Sequence, residues 1–69
     1  MYALVVRFDV LSDRLAEFDR QVALTIDAIT AHEPGTLTYV STGVDEDACA
    51  RVFIEIYADE DAFRTHELV

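Results

Sequence analysis

The chemistry of this chain could centre on a histidine in the segment "IEIYADEDAFRTHE" at positions 54–67. An imidazole exchanges protons near neutral pH, so His66 could serve in acid–base chemistry. It could equally be one side chain on an ordinary helix that makes a single hydrogen bond. The choice depends on which other groups the fold places around it.

Two opposite charges, Arg7 and Glu55, interrupt segments of the sequence that are otherwise strongly apolar. Alternation of apolar residues predicts that both lie on strands, on the same face of neighbouring strands. They could form a structural cross-strand ion pair. They could also be the polar groups of a mainly apolar ligand cavity, and the two interpretations are compatible.

Other reactive signatures are missing from the sequence. The single cysteine, Cys49, excludes an intramolecular disulfide and a cysteine-rich zinc module. There is no H-x-x-x-H pair and no glycine-rich phosphate loop, since the only glycines are Gly35 and Gly43. We therefore expect no metal site, and the acids at 59–61 are explained as the start of a helix.

Composition excludes several classes of partner. Sixty-nine residues form a single domain, and a net charge of −9 without any lysine argues against a nucleic-acid-binding surface. No apolar run is long enough to span a bilayer, and the N-terminus lacks the basic region of a signal peptide. These features predict a cytoplasmic protein without a membrane partner. A hydrophobic content of 52% is high for so small a domain and favours a homodimer.

Hydrophobic periodicity predicts the element order β-α-β-β-α. The predicted elements are strands at 3–10, 36–42 and 50–58, an acidic loop at 43–48, a helix within 11–33 that ends near His32, and a second helix that follows Asp59. Ser12 or Asp13 is expected to cap the first helix and Asp59 the second. Pro34 ends the first helix, and Gly35 allows a positive φ there. This order is that of a ferredoxin-like α+β domain with an antiparallel sheet, without its last strand.

The strand patterns also predict which residues face the helices. In this fold the first and third strands are neighbours, and both helices cover one sheet face. We assign to the covered face Leu4, Val6, Phe8, Val52, Ile54 and Ile56. The opposite face then carries Val5, Arg7, Phe53, Glu55 and Tyr57. Because that face is too apolar for plain solvent-exposed surface, we expect it to pack against a second copy and to enclose any cavity.

Two sequence blocks resemble the antibiotic biosynthesis monooxygenase (ABM) domain. They are "HEPGTLTY" at 32–39 and "RVFIEIYADEDAFRTHE" at 51–67. The first matches the family's E-P-G-x-L-x-Y turn and strand through Glu33, Pro34, Gly35, Leu37 and Tyr39. The second matches its next strand and A-F-x-x-H helix start through Glu55, Tyr57, Ala62, Phe63 and His66. The resemblance implies a dimeric α+β barrel in which two ferredoxin-like sheets pack face to face.

The resemblance also implies an activity. Several family members oxygenate phenolic or quinol-like aromatic compounds with O₂ and without a metal or flavin cofactor. On that basis His66 is the candidate catalytic base, and Arg7 could stabilise an oxyanion. The other candidate substrate-binding residues are Tyr39, Phe53, Glu55 and Tyr57.

The resemblance spans nearly all of residues 1–69 but only about two thirds of a typical family domain, so we expect the domain to be incomplete at its C-terminal end. Three functions stay open. The first is a cofactor-independent monooxygenase for a small aromatic substrate. The second is a non-catalytic dimerisation or small-ligand-binding module, and the third is an accessory domain of a longer polypeptide.

Overall fold

The computed structural model describes residues 1–67 of the chain. Its elements, in chain order, are β1 (Tyr2–Asp9), a 3₁₀ turn (Ser12–Arg14), α1 (Leu15–His32), β2 (Thr36–Val44), β3 (Asp47–Tyr57) and α2 (Glu60–Glu67). The three strands form one antiparallel sheet in the order β1-β3-β2. The ferredoxin-like α+β class and the element order are therefore confirmed. The loop predicted at 43–48 is shorter than expected, because β2 and β3 extend into it.

Helix α1 packs on the sheet through the apolar stripe that its periodicity indicates. Its partly or fully buried positions are Leu15, Phe18, Val22, Ile26 and Ile29. These residues recur every three or four positions and therefore share one side of the helix. The predicted caps at Ser12 and Asp13 are wrong, since no side chain caps the start of α1. The chain instead enters the helix through the 3₁₀ turn, where the Arg14 N–H donates to the Leu11 carbonyl at 2.9 Å.

The register of the sheet corrects the predicted strand faces. Leu4 lies opposite Glu55 and Val6 lies opposite Phe53, and residues directly opposite each other point to the same face. Glu55 and Phe53 therefore lie beneath the helices. We call the helix side the covered face, and it carries Tyr2, Leu4, Val6, Phe8, Tyr39, Arg51, Phe53, Glu55 and Tyr57. We call the other side the open face, and it carries Ala3, Val5, Arg7, Val40, Val52, Ile54 and Ile56.

Aromatic rings explain this orientation of β3. Phe53 packs edge-on against Phe8 with ring centroids 4.9 Å apart, and Phe8 contacts Phe18 of α1 at 5.6 Å. Under α2, the ring of Tyr57 packs against Phe63 at 5.3 Å. Large rings fill the space between sheet and helices better than the smaller aliphatic side chains of the open face. Shape, rather than hydrophobicity alone, therefore decides which side of β3 is covered.

The start of α2 is fixed by a cap and by a close backbone approach. The Asp59 carboxylate accepts a hydrogen bond from the Ala62 N–H at 2.8 Å, which confirms the predicted cap. Gly35 lies beside this helix, and a Cβ at Gly35 would stand 2.7 Å from the Ala62 Cβ. Gly35 does not have a positive φ, so that prediction is wrong. The glycine instead lets the turn after α1 lie against α2. Among residues 1–67, no helix is both long and apolar enough to cross a membrane.

Candidate functional site

A cavity of about 500 Å³ lies between the covered face and the two helices. Its lining comes from every strand and from both helices, through Leu4, Val6, Thr25, Tyr39, Glu55, Phe63, His66 and Glu67. Apolar walls with a few polar groups, in a volume of this size, are typical of small-molecule sites. Three of the predicted site residues, Tyr39, Glu55 and His66, are in this lining.

His66 is held by a buried carboxylate. Its Nδ1 lies 2.8 Å from Glu33 Oε1, and the two side chains are 19% and 7% exposed. Because an ionised carboxylate can only accept, Nδ1 must carry the hydrogen. In the neutral ring this leaves Nε2 with a free lone pair, and no residue within 1–67 bonds to Nε2. An imidazole held in one tautomer by an acid is the arrangement that general bases use.

Glu33 is the site residue that we missed as a functional group, although it was noted in the family-like motif. It follows α1 directly, where its N–H donates to the Ile29 carbonyl at 2.8 Å. Its Oε1 also accepts from the Thr36 hydroxyl at 3.1 Å, which fixes the carboxylate from β2. One signal in the sequence could have identified it. An acid at the C-terminal end of a helix opposes the helix dipole, so its presence there suggests another role.

Glu55 and Tyr57 form a second buried hydrogen bond on the same face. The Tyr57 hydroxyl donates to Glu55 Oε1 at 2.6 Å, and both residues are almost inaccessible to solvent. Burial raises the pKa of Tyr57 strongly, and the hydrogen bond to Glu55 and its negative charge raise it further. Burial also raises the pKa of Tyr39, with smaller contributions from Glu55 and Glu33. Both phenols therefore remain protonated at neutral and mildly alkaline pH.

The rings of the predicted site residues surround His66. The Tyr39 and Tyr57 rings lie 5.2 Å and 5.7 Å from the imidazole, measured between centroids. Phe53 packs edge-on against Tyr39 at 5.7 Å. Phe53 thus supports the cavity wall from beneath, and the fold brings five of the six predicted site residues together.

Arg7 is the exception. It projects from the open face, where it binds Asp9 at 3.0 Å and Asp47 at 3.3 Å. The hydrogen bond to Asp9 raises its pKa. The predicted ion pair with Glu55 is wrong, because the two side chains lie on opposite faces of the sheet. Arg7 therefore cannot stabilise an anion in this cavity.

Comparison with known proteins identifies the fold family. The family profile described as antibiotic biosynthesis monooxygenase (ABM) matches residues 1–67. The chain belongs to the ABM family. Among curated proteins, no relative matches this ABM chain.

Solved structures agree with this assignment. A proposed antibiotic biosynthesis monooxygenase from Bacteroides thetaiotaomicron is 27% identical with a TM-score of 0.90, over 97% of this ABM chain. A second, from Caulobacter crescentus, is 28% identical with a TM-score of 0.88, over 93% of the chain. A third, from Nitrosomonas europaea, is 20% identical with a TM-score of 0.81 over the whole chain and supports the fold alone. This chain spans 64%, 60% and 72% of those three proteins, respectively.

Within residues 1–67, no three His, Cys, Asp or Glu residues group as metal ligands do. The polar groups of the site in this ABM chain are instead arranged in two carboxylate pairs. Glu33 holds His66, and Glu55 holds Tyr57. The site therefore combines an imidazole nitrogen, Nε2, that has a free lone pair with phenols that stay protonated.

Proposed function

We propose that this domain is a monooxygenase that uses O₂ to oxidise a small quinol- or polyphenol-like aromatic compound, without a metal or flavin. The observation that carries the proposal is the carboxylate-held His66 in a cavity of about 500 Å³ within an ABM-family fold. A cavity of that volume accommodates one or two fused aromatic rings. The substrate supplies the electrons, so the protein needs to supply a base and a surface that orients the ring.

The proposed first step is a proton transfer. Nε2 of His66 accepts the proton of a phenolic hydroxyl, and the Glu33 carboxylate at Nδ1 stabilises the imidazolium that forms. The aromatic anion is more easily oxidised than the phenol. It passes electrons to O₂, and a carbon–oxygen bond forms at the ring.

The proposed second step returns the proton. The imidazolium gives it to the outer oxygen of the ring-bound peroxide. The ring carbon that bears the hydroperoxide then loses its hydrogen as a proton, the O–O bond breaks as a C=O bond forms, and the leaving hydroxide takes up that proton and departs as water. For a hydroquinone the balance is C₆H₆O₂ + O₂ → C₆H₄O₃ + H₂O, in which the substrate supplies all four electrons. One oxygen atom enters the ring and the other becomes water. His66 ends neutral, ready for another cycle.

Oxygen uptake tests the proposal. The full-length protein is incubated with a panel of hydroquinones and catechols in an oxygen-electrode cell, and incorporation of ¹⁸O from ¹⁸O₂ is followed by mass spectrometry. We expect uptake to fall about 10²- to 10⁴-fold in His66→Gln, because a positioned general base contributes that much. The exposed His32 provides the matched control, and His32→Gln should keep the wild-type rate. No uptake above the uncatalysed rate across the panel would refute the activity.

A ligand-binding module without catalysis is the second candidate. It is favoured by the mostly apolar walls of the cavity, which can bind an aromatic ring without chemistry. Saturable binding of a hydroquinone without oxygen uptake would establish the ligand-binding module in place of the monooxygenase.

We also propose that the open face joins two copies as a homodimer. Val5 is 74% exposed there, and Ile54 and Val40 are about 40% exposed beside it. Contiguous aliphatic surface of this kind marks an association site. A second copy would bring the same face with it, as a two-fold axis requires. A cytoplasmic location stays a prediction from the sequence.

A further inference from the structure

We infer that the cavity selects uncharged aromatic ligands that carry at least two hydroxyl groups, and that Glu55 rejects carboxylated, sulfated or phosphorylated analogues. The inference rests on the proposed function, since it takes the His66 cavity as the ligand site. It goes further, because it assigns the charge and hydrogen-bonding character of the ligand to named groups.

The first part of the inference, that the cavity selects uncharged ligands, rests on the charges around the cavity. Glu55 and Glu67 are in its lining, and Glu33 lies behind His66. Within residues 1–67, no arginine reaches this lining. A carboxylate in a partly buried cavity acts through a lower effective dielectric than in water, so it repels a second anion more than it would in free solution.

The arginines nearest in sequence to the site are engaged elsewhere. Arg51 binds Asp19 of α1 at 2.9 Å, and Arg64 binds Glu60 along the exposed side of α2 at 2.8 Å. Arg7 lies on the open face with Asp9. Within the described residues, no cation is therefore placed to offset the charge of a bound anion.

The second part of the inference, that the ligand carries at least two hydroxyl groups, rests on which hydrogen-bond donors and acceptors the cavity leaves free. The Tyr57 hydroxyl already donates its one hydrogen to Glu55 Oε1. The groups left for a ligand are mainly acceptors, namely the second Glu55 oxygen, the Glu67 carboxylate and Nε2 of His66. Only the Tyr39 hydroxyl, which has no hydrogen-bond partner within residues 1–67, can also donate. A ligand with two hydroxyls supplies donors to Glu55 and to Nε2 of His66, whereas a carboxylate supplies none.

Anaerobic equilibrium titration tests this without turnover. The full-length protein is titrated by calorimetry with hydroquinone, with 4-methoxyphenol, which has one hydroxyl fewer, and with 2,5-dihydroxybenzoate, which adds a carboxylate. We expect hydroquinone to bind about tenfold tighter than either analogue, which corresponds to one lost hydrogen bond or one like-charge contact. In Glu55→Gln, which keeps an oxygen for Tyr57, the penalty for 2,5-dihydroxybenzoate should shrink about threefold or more. Glu46→Gln, in the exposed β2–β3 turn, makes the same charge change and should leave the ratios unaltered.

The outcomes separate this inference from the proposed activity. Equal binding of hydroquinone and 2,5-dihydroxybenzoate, no binding of hydroquinone, or an unchanged ratio in Glu55→Gln would each overturn the selection rule. If the expected ratios are found but no oxygen is consumed, the selection rule stands and the monooxygenase proposal fails. If oxygen is consumed with both hydroquinone and 2,5-dihydroxybenzoate at similar kcat/KM, the activity stands and the selection rule fails.

Discussion

The contact between Glu33 and His66 joins two residues 33 positions apart, one after α1 and one in α2. A buried carboxylate is costly unless it is paired, so the fold must bring a donor to Glu33. Thr36 supplies one hydroxyl donor, and the imidazole supplies the other. The same contact leaves Nε2 as the acceptor in the cavity. At this scale, one hydrogen bond both pairs the buried Glu33 carboxylate and orients the His66 imidazole.

The Glu33→Gln variant tests whether Glu33 acts through His66. An amide oxygen can still accept from Thr36 and Nδ1, but the charge that stabilises the imidazolium is lost. We expect kcat for a hydroquinone to fall about tenfold, with a smaller change in KM. In the His66→Gln background the same substitution should have no further effect on kcat. Equal losses in both backgrounds would show that Glu33 has only a structural role, and Glu46→Gln is the charge-matched control.

The Tyr57→Phe variant tests the second buried pair. Without the hydroxyl, Glu55 loses its described hydrogen-bond donor, so the free energy of unfolding should fall by roughly 1–3 kcal/mol at pH 8. The pKa of Tyr57 is raised in the folded state, so its stabilising contribution is complete below the unfolded pKa of ~10 and is lost progressively as pH rises from there toward the folded pKa. The difference between wild type and variant should therefore shrink as pH rises past about 10.

Urea unfolding curves between pH 8 and pH 11 measure this difference. Tyr2→Phe removes a phenol outside the Glu55 contact and serves as the control. A gap between wild type and Tyr57→Phe that stays constant over this range would contradict the assignment.

At the scale of elements, the sequence predicts each helix and strand but not how β3 faces β1. Period-2 alternation shows that β3 has two faces, and both are apolar enough to be covered. Summed hydrophobicity predicts that Val52, Ile54 and Ile56 face the helices. In the structure, Phe53 and Tyr57 face the helices instead. The deciding contacts join rings from β1, β3, α1 and α2, and no single segment contains them. The prediction of His66, Tyr39, Glu55 and Tyr57 as neighbours came from the family-like motif, and Arg7 was misplaced because its partners depend on register.

The packing of α2 against the turn after α1 gives a prediction at this scale. Gly35→Ala would place its Cβ 2.7 Å from the Ala62 Cβ, so helix and turn must separate. We expect a loss of about 1–3 kcal/mol in the free energy of unfolding, as for other overpacked sites. Ala62→Gly should recover part of that loss in the double variant, beyond what the two single changes sum to. Gly43→Ala, with no atom within 4 Å of its new Cβ, should be close to neutral. A Gly35→Ala protein as stable as wild type would contradict the close approach.

At the scale of the whole molecule, the two sides of the sheet, the covered face and the open face, have different properties. The covered face contains the cavity, and the open face contains exposed aliphatic side chains with Arg7 held at their edge by Asp9 and Asp47. With a net charge of −9, two copies repel each other, and a contact between them must bury enough apolar surface to offset that repulsion. The open face presents apolar surface and lies apart from the proposed site. A substitution on the open face can therefore test the proposed dimer without a direct change to His66.

The Val5→Glu variant tests whether the open face is the surface that joins two copies. Because Val5 is 74% exposed in one copy, a carboxylate there should leave the monomer folded. Between two copies it would be buried without a partner, so the dimer dissociation constant should rise roughly 100-fold or more. Light scattering over a range of protein concentrations measures the mass, with Leu24→Glu on the outer side of α1 as the matched control. A Val5→Glu protein that stays dimeric, or a wild type that is monomeric at micromolar concentration, would place the partner surface elsewhere than the open face.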